Sequence, residues 1–97
     1  MSLSRRLVEY RLRSVSKRLV AARADLQVVT EQAAALTEEA DDLDIRALVS
    51  DAPADRVDAR SASGHRATMQ REQARLRDLI QRLSVEQDRL LDRLGPR

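Results

Sequence analysis

The side chains best equipped for chemistry in this chain are few: His65, the run "DDLD" at 41–44, and Asp51, Asp55 and Asp58 in "LVSDAPADRVD". His65 is the only histidine, stands beside Arg66, and has no cysteine or second histidine to complete a zinc site. Its expected place is the polar face of a helix. The carboxylates of Asp41, Asp42 and Asp44 resemble a fragment of an acidic metal-binding run. They lack the glycine and closing glutamate of a calcium loop, and helical spacing spreads them around the axis. No glycine-rich phosphate loop or nucleophile elbow occurs. A two-helix fold also offers no deep pocket in which to desolvate a substrate. The expectation is therefore a chain that is not an enzyme and needs neither cofactor nor metal.

The elements that carry these residues are legible from apolar spacing. In the first half, Val8, Leu12, Val15, Leu19, Ala22, Leu26, Val29, Ala33, Leu36, Ala40, Leu43 and Ala47 follow one another in alternating steps of four and three. That is the 3.5-residue period of a coiled-coil seam. The second half repeats it with exceptions: Ala59, Ala62, Arg66, Met69, Gln73, Leu76, Ile80, Leu83, Gln87, Leu90 and Leu94. Between the runs, Ala52-Pro53 marks a boundary. A residue before proline avoids the α conformation, whereas proline suits a first helical turn. Asp55 in that turn complements the helix dipole, and Gly95-Pro96 closes the second helix.

Two helices, about 4–49 and 53–94, joined by a turn at about 50–52, should fold back as an antiparallel coiled-coil hairpin of the all-α class. Leu26 then faces Leu76, Leu19 faces Leu83, Ala22 faces Ile80, Val29 faces Gln73 and Ala33 faces Met69. Leu12, Leu36 and Leu90 continue the seam. Nearer the turn Ala40 opposes Ala62 and Leu43 opposes Ala59, so packing thins there. Ser61, Ser63 and Gly64 lower helix propensity, and a frayed or kinked section is expected around 61–65. Gln73 and Gln87, two heptads apart, either reach water at the seam edge, the favoured reading, or fix register. Leu7, Val20, Val28, Leu79 and Leu91 lie off the seam. They suggest a second contact face, most simply an antiparallel homodimer forming a four-helix bundle.

Composition agrees with this class. The chain has 97 residues, one aromatic residue (Tyr10), two glycines and two prolines, which is the profile of a long helix. Lys17 is the only lysine among 18 basic residues. Arginine at this level accompanies alanine-rich coding bias and does not by itself indicate nucleic-acid binding. The absence of cysteine suits a cytoplasmic protein. No apolar stretch reaches the roughly 20 residues of a membrane span, and the N-terminus lacks a signal-peptide core.

The charges are segregated. Residues 1–23 hold seven basic side chains, including Arg5, Arg6, Arg11 and Arg13, against Glu9. Residues 24–58 reverse the balance, with ten carboxylates against Arg46 and Arg56. A hairpin would thus have a basic end at its termini and an acidic tip at its turn, a layout that bears on partners rather than on fold. Three functions follow as expectations. The first is a non-catalytic interaction or scaffold protein that self-associates and packs helices on a protein partner. The second uses the acidic tip of Asp51, Asp55 and Asp58 on RNA polymerase. The third binds nucleic acid or an anionic surface through the basic end, weakened by the near absence of stacking aromatics.

Two resemblances accompany these readings. "DAPADRVDA" resembles the acidic, proline-containing tip of transcription factors of the DksA/TraR type, which, like the Gre type, insert a coiled coil into the secondary channel of RNA polymerase. The likeness covers about nine residues with shifted Asp spacing, and neither that family's zinc-binding domain nor the second globular domain of the Gre type has a counterpart here. "DIRALVSDAP", with the Arg- and Gln-rich helix ending "EQDRLLDRL", resembles a group of small, uncharacterised actinobacterial coiled-coil proteins over roughly the second half of the chain. That resemblance implies no activity, cofactor or functional residue.

Overall fold

A computed structural model describes residues 3–95. Helix α1 runs Leu3–Val49 and helix α2 runs Pro53–Leu94, and the two pack against each other as an all-α hairpin with no strand among the described residues. Every seam position of α1 from Val8 to Ala47 is buried or half-buried, and so is every one of α2 from Ala59 to Leu94. The hairpin divides into two packed units, one of residues 1–25 with 76–97 and one of residues 26–75.

The first unit has a core of branched side chains. Val8, Val15, Leu19, Ala22, Leu83 and Leu90 are buried together, with Leu12, Leu79, Ile80 and Leu94 packed on their flank. Leu19 is the most enclosed, at 1% exposure. Leu79 therefore joins the core edge and is not part of an outward contact face. Gln87 does not simply reach water, as the favoured reading of the sequence had it. Its Nε2 donates to the Ser16 hydroxyl at 3.1 Å, and Ser16 follows Val15, the residue across from Gln87 in the seam register. On the rim, Arg11 donates to the Glu86 carboxylate at 3.2 Å and Arg5 to the Leu94 carbonyl at 3.2 Å.

The second unit is built on smaller side chains. Its buried positions are Ala33, Ala40, Ala59 and Ala62, and the larger Leu36, Leu43 and Met69 are only half-buried. Alanine brings backbones close but removes little apolar surface from water, so each layer contributes less than a leucine layer. Polar links supplement it. Gln73 Nε2 donates to the Thr30 hydroxyl at 3.0 Å, the same arrangement as Gln87 with Ser16. Arg66 occupies a seam position with its stem half-buried and its guanidinium 3.5 Å from Asp41 on the facing helix, the behaviour expected of a long amphipathic side chain.

α2 passes through residues 61–65 without interruption, where the sequence suggests a weak point. Ala59 and Ala62 are buried against α1, and local side-chain bonds from Arg66 to Ser63 and from Thr68 to the Gly64 carbonyl sit on the same turns. Tertiary burial outweighs the low intrinsic propensity of two serines and a glycine. At the connection, Ser50 closes α1 by donating its N–H to Arg46 at 3.0 Å, and its hydroxyl accepts the Ala52 N–H at 3.1 Å. Pro53 opens α2 at the position where a missing N–H costs nothing. Gly95, at φ 80°, ends α2 in the left-handed conformation that favours glycine. Pro96 lies outside the described residues.

Candidate functional site

His65 is exposed and lines a hollow of about 260 Å³ in the second unit with Glu39, Leu43, Asp58, Ser61 and Ala62. Ser61, His65 and Asp58 share this hollow through helical spacing on α2, but no hydrogen bond joins them among the described residues. A serine hydroxyl without a base in hydrogen-bond reach is not activated. Nor does any group of three or more His, Asp or Glu side chains gather as a metal ion would require, among the described residues. Asp41, Asp42 and Asp44 all stay exposed on α1, and Asp41 is turned to Arg66.

The three aspartates near the turn occupy different settings. Asp51 lies exposed in the connection, Asp55 is half-buried in the first turn of α2, and Asp58 is exposed one turn further on. The Asp55 backbone N–H donates to the Ala52 carbonyl at 3.2 Å, so its side chain is anchored where negative charge meets the helix dipole. Near the turn in sequence, four apolar side chains lie off the seam. Ile45, Leu48, Val49 and Val57 are 62%, 85%, 82% and 54% exposed. The signal for them was present: all four fall off the 3.5-residue seam.

Of the basic end, Arg6 and Arg13 are exposed, Arg5 is 3.8 Å from Glu9, and Arg11 is held by Glu86. Arg13 borders a shallow hollow with Tyr10, Ser14 and Lys17. A larger groove of about 520 Å³ lies along α2 in the same unit. It is lined by the apolar Val85 and Leu90, by Arg11, Arg82, Arg89 and Arg93, and by Gln81 and Glu86, the last paired with Arg11. Arg82 bonds its own helix through Asp78 at 3.2 Å. Arg89 and Arg93 make no ion pair among the described residues. In sequence the last helix is mixed but net basic, its arginines interspersed with Asp78, Glu86, Asp88 and Asp92. It is their shared face that matters.

Glu72 carries a displaced titration. A bidentate hydrogen bond from Arg75, at 2.9 and 2.6 Å, holds its carboxyl below the ordinary glutamate value. The pair is exposed and local to one helical turn, so it marks no reactive centre. No protein-family model, curated protein or solved structure matches this chain.

Proposed function

We propose that this chain is a non-catalytic coiled-coil interaction protein, acting by self-association and by packing helix surface on a protein partner. The observation that carries this reading is the aliphatic group around the turn. Leu48 and Val49 are more than four-fifths exposed although the seam between the helices is filled throughout. Single exposed aliphatics need no explanation, but two consecutive ones at this exposure support an interaction surface.

The test pairs L48K and V49K, which remove the apolar surface without touching the seam. Cross-linking through carboxylates in the native cell should capture a defined partner set that the double variant loses. An unchanged set would remove the turn from the reading. Light scattering after size exclusion addresses self-association, and a strictly monomeric, fully helical species at micromolar concentration would remove that component.

The acidic tip as a polymerase-binding element is a second reading, favoured by the exposure of Asp51 and Asp58 beside these aliphatics. Changing both aspartates to asparagine should weaken co-purification with RNA polymerase. No co-purification at low salt would end this reading and leave the first intact.

A further inference from the structure

We infer that the arginine-rimmed groove on α2 is the seat of a second copy of this chain, which lays the acidic outer stripe of its α1 into it. This rests on the self-association part of the proposed function and names the two surfaces that meet. The groove presents Arg82, Arg89 and Arg93 at spacings of seven and four residues on one helix face. The outer face of α1 presents Glu31, Glu38 and Asp42 at the same spacings in the same order, all exposed and with no ion pair among the described residues. At 1.5 Å per residue, both sets are separated by about 10 and about 6 Å along the helix axis. Laid parallel, Arg82 meets Glu31, Arg89 meets Glu38 and Arg93 meets Asp42. The reversed direction matches only in part, because the spacings then run four and seven.

Steric fit agrees with charge. Between the first two charge pairs, the parallel alignment sets Val85, 38% exposed in the groove, against Ala34 and Ala35, which are exposed and small enough to let the helices approach. The units carry matching opposite charge as well. Residues 1–25 and 76–97 hold twelve basic and six acidic side chains, a net of +6, while residues 26–75 hold six and ten, a net of −4; together these give the chain's +2. Two like units repel and unlike units attract, so charge selects this pairing over groove against groove.

The experiment is a charge swap in the full chain, read by light scattering and sedimentation at low salt, with helicity checked by circular dichroism. R82E/R89E/R93E reverses the groove, and E31K/E38K/D42K reverses the stripe. Each variant alone should lose self-association by at least tenfold, and an equimolar mixture should recover it, because each then supplies the complement of the other. The milder R82Q/R89Q/R93Q set should weaken association in the same direction if the reversed groove compromises folding. Association of both reversed variants at wild-type strength would overturn the docking while leaving self-association through another face standing. A wild-type chain that is monomeric at low salt would overturn both. Recovery in the mixture that persists at about 1 M salt, where charges are screened beyond roughly 3 Å, would also overturn it.

Discussion

Glutamine at a seam position is a choice with two outcomes, and here both glutamines use their amides across the helix pair. Gln87 with Ser16 and Gln73 with Thr30 are cross-helix bonds between half-buried or exposed side chains. Each Gln→Ala change should lower unfolding free energy by about 1 kcal/mol, the usual net worth of such a bond, as measured by urea denaturation. Leu19→Ala should cost more, about 2–5 kcal/mol, because Leu19 is a large side chain at 1% exposure. Leu48→Ala, at a position 85% exposed, should stay within about 0.5 kcal/mol. A Leu48→Ala cost comparable to that of Leu19→Ala would mean that the turn is covered in solution. The Glu72–Arg75 bond adds a small acid-side dependence. Its carboxyl value is lowered in the folded chain, so any contribution is present above the unfolded glutamate value and fades as pH falls through the lowered one.

At the scale of elements, the alternating four-three spacing specified both helices and their buried faces, because a narrow stripe leaves no second way to hide the apolar side chains. What it left unread was the state of α2 near Gly64. Propensity argued for a weak point there, and burial of Ala59 and Ala62 settled the matter in favour of helix. A methyl group at Gly64 would meet nothing within 4 Å, and its φ lies outside the left-handed region. Gly64→Ala should therefore stabilise the chain by roughly 0.5–1 kcal/mol. At Gly95, where φ is +80°, the same change should destabilise. The alanine-lined second unit should also exchange its amide hydrogens faster than the leucine-lined first unit, since local opening follows buried apolar contact. Equal protection in both would show that the polar links carry more than assigned to them here.

For the molecule as a whole, composition and period gave the class, and linear charge counts gave the opposition of basic and acidic residues. Counting could not find the groove. Arg82, Arg89 and Arg93 are offset in number by neighbouring acids, and only the helix face reveals that they gather. Nor could it decide the fate of Ile45, Leu48, Val49 and Val57, whose exposure depends on how the connection turns. If self-association is coupled to folding, the thermal midpoint should rise with protein concentration, since anything that binds only the folded chain stabilises it by mass action. A midpoint that does not move over a hundredfold range of concentration would argue for a chain complete on its own.

The paired glutamine bonds also make the hairpin's reach adjustable in fixed increments. Ser16 and Thr30 are separated by the same two heptads as Gln73 and Gln87, so excising residues 17–30 together with 74–87 joins Ser16 to a new partner, Gln73, and keeps every seam position in phase. Such a miniature keeps its register but gives up Leu19, Ala22 and Leu83 of the buried core, so it should unfold at lower urea than the full chain, whereas excision from one helix alone would strand two heptads of the other without a mate.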